Sequence, residues 1–346
     1  MKISKAVIGS IADEPIMQYT LENDHQVQVV CMSYAATWQG FMVPDQDDKL
    51  HNMILQFDDV NSYLTNPFHV GHTIGRVGGR IKNGCFTINN VKYHVSANEG
   101  PNLIHGGDHG FSSWNWQAAT ESSHDAVKVT FSRKITTQDD GFPGDIEAKI
   151  SYILDNQDKV TIQFYGQSNA DTLFNPMTHV YFNLSNDQET IMNHELQINS
   201  RQHVETDGQK LPTGRLLENH ETAFDFSKPV TLQSALAQLQ RESGKTQFDD
   251  AFKLADREQP AVVIRDRSDH RQISVYSDRN GVVMFTANPD VIGKSKEWEA
   301  SHPYNGVAIE AQTLPDAIHH PGFGDIVLSA NQAEVYTVQY HYEEIR

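Results

Sequence analysis

The chain has 346 residues, 38% hydrophobic and 21% charged, with a formal net charge of -18 and a mean hydropathy of -0.52. It is long enough to bury a sizeable core without staples. No stretch approaches the ~20 apolar residues of a membrane helix, and the strong acidity excludes nucleic acid and anionic membrane surfaces while leaving neutral or cationic ligands.

The first 17 residues have no long apolar core and carry Asp13 and Glu14, so neither a signal peptide nor an anchor is expected there. Cys31 and Cys85 are the only cysteines, which suits a reducing compartment; the cytoplasm is the expected location. Helical pattern is scarce: the run 66–79 offers at most a turn, and the best helix is 231–241, where Leu232, Leu236 and Leu239 follow Pro229 at helical spacing. Strand signals dominate. In Ala126–Ile135 the residues Val127, Val129 and Phe131 alternate. Ile146, Ala148, Ile150 and Tyr152 do so in 145–154, as do Val160, Ile162 and Phe164 in 159–167. Period-two runs of this kind predict antiparallel strands with one buried face. Turns are expected at 139–141, 155–158, 207–208 and 280–281. With no linker and no repeat, the expected fold is all-β, one large antiparallel β-sandwich with few short helices, forming a single domain over 1–346.

Several polar groups sit in apolar or glycine-rich frames. Arg80 lies in GRVGGRI (75–81), where a structural ion pair is as plausible as a site; Arg76, four residues earlier, is less favoured. His105 precedes Gly106 and Gly107 in NLIHGG (102–107), a tight turn or a close approach to a ligand. His179, in NPMTHVYFNL (175–184), reads as a strand residue, either a satisfied core histidine or a titrating acid, with Asn175 and Asn183 near it. Asp249 and Asp250 lie between Phe248 and Phe252, as a solvated turn or as hydroxyl ligands. Glu310 closes the apolar run Val307–Ile309; lost solvation there raises a carboxyl toward useful base strength, and Gln312 shares its face. Short histidine pairs occur at His69/His72, His105/His109 and His319/His320, but none recurs with Cys or Glu at zinc-site spacing. HExxH, Walker and GxSxG patterns are absent, so neither metal nor nucleotide cofactor is expected.

In order along the chain, GRVGGRI, NLIHGG, GFPGD (141–145), NPMTHVYFNL, PTG (212–214), AFDF (223–226), FDDAF (248–252) and IEAQTLPDAIHHP (309–321) resemble the motifs of the aldose 1-epimerases, or galactose mutarotases. The resemblance implies a galactose mutarotase-like supersandwich with a sugar cleft on one sheet. It implies Glu310 as base and His179 as acid, with His105, Arg80 and Asp249 binding substrate and Phe285 as a wall residue. It further implies that the partner is a free aldohexose, with no cofactor; monomer and homodimer both stay open. Two positions depart from the family: Gly79 stands where many relatives carry asparagine, and Asp250 where many carry histidine, adding negative charge near the site.

The chemistry so implied needs a proton taken from the anomeric hydroxyl and one given to the ring oxygen, by a charged base and acid on opposite sides of the sugar. Three rivals stand beside it. One is an epimerase acting on a hexose 6-phosphate, which would want several basic residues. Another is a non-catalytic carbohydrate-binding protein of the same fold. The last is a glycoside hydrolase pairing Glu310 with Asp249.

Overall fold

A computed structural model describes residues 1–255, 258–286, 288 and 304–345. Its described residues form three main antiparallel sheets. The largest has nine strands, ordered Gln117–Ser122, Ala126–Ile135, Ile146–Asp155, Lys159–Ser168, Ala333–Glu344, Arg271–Ser277, Val262–Asp266, Glu195–Ile198 and Val230–Thr231. The three strands expected from alternation are the second, third and fourth of these. Val127, Val129, Phe131, Ile146, Ala148, Ile150, Tyr152, Val160, Ile162 and Phe164 all face the core.

A six-stranded sheet carries the site. Its order is Tyr181–Phe182, Val307–Gln312, Gly281–Thr286, Asp249–Leu254, Ser200–Thr206 and Pro212–Glu218. Side chains alternate across a strand. Phe252, Val282, Met284, Val307, Ile309 and Ala311 therefore enter the main core. Their neighbours Asp249, Ala251, Val283, Phe285, Glu310 and Gln312 point the other way, into a cavity. Cross-strand register lines them up: Glu310 opposes Val283, which opposes Ala251, and Phe285 opposes Asp249.

The third sheet runs in chain order through Lys2–Ile11, Glu14–Glu22, Gln28–Met32, Thr37–Pro44 and Leu50–Asn52. Trp38, fully buried, joins the layers: its ring lies 6.4 Å from Tyr152, 4.9 Å from Tyr340 and 6.3 Å from Phe182. Helix Leu232–Ser243 matches its expectation. Thr231 caps its start by accepting from the Ser234 N–H, Gly244 ends it in the left-handed conformation, and Leu232, Leu236 and Leu239 are buried. The run 66–79 holds turns and a short strand; the helix of that region is Val60–Thr65, just before it. Its six residues are too few to show a helical period. The turn at 280–281 carries the chain from the nine-stranded to the six-stranded sheet.

Candidate active site

All six candidate residues, Arg80, His105, His179, Asp249, Phe285 and Glu310, line one cavity of about 360 Å³. The six-stranded sheet supplies Asp249, Phe285 and Glu310; Arg80 comes from a two-stranded ribbon, and His105 and His179 from loops. Arg80 and His105 are brought together by a two-stranded ribbon in which Ile104 opposes Arg80. The His105 N–H donates to the Gly79 carbonyl at 3.0 Å, and the Gly79 N–H returns a bond to His105 Nδ1 at 3.3 Å. Gly106 makes this turn possible: with φ +80 it packs so closely that a Cβ would sit 1.9 Å from the Gly75 carbonyl oxygen. Gly79 is also left-handed, at φ +70, and a Cβ there would sit 3.1 Å from Pro315 Cβ.

Glu310 is the fourth residue of a six-residue strand, not its end, and it is 3% exposed. Its Oε1 lies 3.3 Å from His179 Nε2, and its Oε2 accepts from Gln312 Nε2 at 3.3 Å. His179 sits between strands Met177–Thr178 and Tyr181–Phe182 rather than within one. The two groups thus stand side by side on one wall of the cavity. Burial, reinforced by the Asp249 carboxylate and opposed by Arg80, pushes the Glu310 carboxyl up to about 8. Burial, with His69 beside it, pushes the His179 imidazole down to about 3. Desolvation is the largest cause in both, and it favours the uncharged form of each group.

His105 is neutral by the same cause, held well below the ordinary histidine value by burial, His179, His69 and Arg80. With its Nδ1 occupied by the Gly79 N–H, its proton belongs on Nε2. Arg80 is both a site residue and half of an ion pair: its Nε donates to Glu99 Oε2 at 2.6 Å and its Nη2 to Glu99 Oε1 at 2.7 Å. Lys210 pairs with Asp249. Glu99, Lys210, His69 and Gln247 all line the cavity and were not read from the sequence. Only the His69/His72 pair singled out one of them.

Other candidates lie elsewhere. Asp250 points to the opposite face of its strand, where its buried carboxyl lies 3.8 Å from Lys245 Nζ; it does not line the cavity. Arg76 is fully buried against Asp140, with Nε 2.6 Å from Oδ2 and a further bond to the Pro143 carbonyl. Asn175 holds Arg279 and the Thr313 backbone, and Asn183 bonds the Asn305 carbonyl; neither touches the cavity. His319 and His320 lie against Asp316. Among the described residues no group of three or more His, Cys, Asp and Glu could hold a metal ion, and no helix is long and apolar enough to cross a membrane.

Four neighbouring histidines sit below the usual value of 6.5 through burial: His72 and His105 well below, His69 at about 4 and His179 at about 3. Their folded values are depressed, so the unfolded chain binds more protons as pH falls below about 6.5. Stability is then present above that pH and lost on acidification toward about 4. We expect the melting temperature to fall steadily from pH 7 to pH 5 in calorimetry. His72→Leu should flatten that fall, because both ring nitrogens of His72 are buried without a partner. Equal pH slopes for variant and wild type would contradict this.

A family model described as aldose 1-epimerase matches residues 17–342. A maltose epimerase of Levilactobacillus brevis is 39% identical over 343 residues, covering 99% of each chain. An aldose 1-epimerase of Streptococcus thermophilus is 36% identical, also over 99% of each. The solved galactose 1-epimerase of Lactobacillus acidophilus superposes with a TM-score of 0.87 at 25% identity, covering 100% of this chain and 99% of that one.

Proposed function

The chain belongs to the aldose 1-epimerase family and is an isomerase, and from that premise we propose that it interconverts the α and β anomers of free aldohexoses such as galactose and glucose, with Glu310 as base and His179 as acid. The observation that carries this reading is the contact of Glu310 Oε1 with His179 Nε2, 3.3 Å apart on the wall of a sugar-sized cavity.

The chemistry follows from that adjacency. The hydroxyl oxygen and the ring oxygen of a hemiacetal are both bonded to the anomeric carbon, so neighbouring groups can serve both. Hydroxyls donating to the Glu310 carboxylate favour its ionised form, moving the shared proton to His179. The carboxylate then takes the proton of the anomeric hydroxyl. The carbon–ring-oxygen bond breaks, its electron pair staying on the ring oxygen, which receives the proton from His179 Nε2. The aldehyde turns about the adjacent carbon–carbon bond, and closure on its other face returns both protons. His105 Nε2–H supports negative charge developing on an oxygen. Arg80 and Asp249, each held by an ion-pair partner, position hydroxyls.

Charge balance favours a neutral sugar. The described lining residues include two cations, Arg80 and Lys210, each facing a carboxylate, and a third carboxyl in Glu310. Among the described lining residues no cation is left for a phosphate. The relative from Levilactobacillus brevis supports extending the reading to a reducing glucose disaccharide. Such a sugar presents the same hemiacetal, and its second ring would meet the rim where Lys210 is exposed. Two free thiols, Cys31 and Cys85, fit a cytoplasmic location. The test is a panel of freshly dissolved α-galactose, α-glucose, maltose and glucose 6-phosphate followed by polarimetry. Faster turnover of the phosphorylated sugar than of every neutral one would overturn the assignment of substrate class.

A further inference from the structure

Three imidazoles share the cavity wall: His69, His105 and His179. A neutral imidazole offers one donor and one acceptor. His105 has Nδ1 taken by the Gly79 N–H, and His179 turns Nε2 to Glu310. His69 makes no hydrogen bond from either ring nitrogen to a described residue, and its Nδ1 is buried. Its ring stands 5.6 Å from that of His105 and 6.3 Å from that of His179.

Its placement is fixed through the acid itself. Residues His69 to His72 form a turn closed by the His72 N–H on the His69 carbonyl at 3.0 Å. That turn is clamped to His179 from both sides. The Gly71 N–H donates to the His179 carbonyl at 2.9 Å, and the His179 N–H donates to the His72 carbonyl at 2.9 Å. His69 also holds a left-handed backbone, φ 50, which a non-glycine residue keeps only where its surroundings impose it. A wall residue whose ring nitrogens no described residue answers, held rigidly beside His179, is matched by a hydroxyl group, which can both donate and accept.

We propose that His69 is a third sugar-binding histidine, hydrogen-bonding a pyranose hydroxyl on the side of His105 and His179 and orienting the ring against the Glu310–His179 pair. This specificity role rests on the anomer-exchange reading. Because burial keeps its imidazole neutral down to about 4, His69 binds rather than supplies protons near neutral pH.

The test compares wild type, His69→Phe and His69→Asn by calorimetric titration with D-galactose and D-glucose, and by polarimetric kcat and KM. Phenylalanine keeps a ring but loses both nitrogens; asparagine restores a donor and an acceptor. For the better-bound sugar, His69→Phe should raise Kd and KM by about 3- to 10-fold, the worth of one net hydrogen bond. His69→Asn should recover much of that loss, with kcat changing less than KM. Affinities within twofold of wild type in His69→Phe would overturn the inference, as would a loss that asparagine does not restore. If wild type binds sugar without accelerating anomer exchange, the proposed function fails while the titrations still decide the role of His69. A wild-type chain that binds neither sugar overturns both.

Discussion

Glu310→Gln should lower kcat for anomer exchange by about 10²–10⁴-fold, the range a positioned proton transfer contributes, while sugar affinity stays within a few fold. Glutamine keeps the size of the side chain and can still accept the Gln312 Nε2–H that Glu310 accepts at 3.3 Å. What it loses is the ability to take the anomeric proton. The variant also reports on the cost of the site. With the folded-state carboxyl raised to about 8, folding retains a proton that the unfolded chain releases above about 4.5, so Glu310 lowers stability as pH rises through that window. Glu310→Gln should therefore melt above wild type at pH 9, by calorimetry. Losing activity while gaining alkaline stability separates a catalytic group from a structural one; a variant less stable and less active at every pH would contradict the assignment.

His179→Asn should cost a comparable factor in kcat, and it should reverse the alkaline limb of the pH profile. In wild type the pair holds one proton between about pH 3 and about pH 8. The working arrangement, carboxylate beside imidazolium, is an isomer of the resting one and carries the same number of protons. Wild-type kcat/KM should thus be level near neutrality and fall above about pH 8, where the last proton leaves and nothing remains to protonate the ring oxygen. Without His179, the remaining catalysis depends on the carboxylate alone, so the residual rate should rise through about pH 8, after subtraction of the uncatalysed rate at each pH. A wild-type profile that climbs above pH 8, or a variant that keeps the fall, would remove His179 from the acid role.

The sheets were legible because alternation is a local signal. Val127, Val129 and Phe131 mark a buried face within six residues, and the structure uses that face as expected. Glu310 and Gln312 were legible for the same reason: they occupy the positions opposite Ile309 and Ala311. Asp249 and Asp250 show the limit. Alternation says that they face opposite ways but not which one lines the cavity; the register with Phe285 decides. His69, Glu99 and Lys210 come from loops far apart in the chain, and nothing local marks a lysine at 210 as the partner of an aspartate at 249. The adjacency of Glu310 and His179 and the burial of both on one wall are not local signals; they are properties of the assembled fold. Two of the eight motifs carry no cavity residue. GFPGD lies at the Arg76 clamp, through the Pro143 carbonyl and the adjoining Asp140, and in AFDF Phe224 stacks on His203 at 3.8 Å.

We propose that the Glu310–His179 pair exchanges the anomers of a free aldose. Polarimetry of freshly dissolved α-D-galactose and α-D-glucose, with substoichiometric protein at pH 7, tests it most directly. Wild type should speed the approach to the unchanged equilibrium rotation in proportion to its concentration, and Glu310→Gln should bring the rate close to that of buffer. Wild-type rates equal to buffer for both sugars, or equal rates for the variant and wild type, would contradict it.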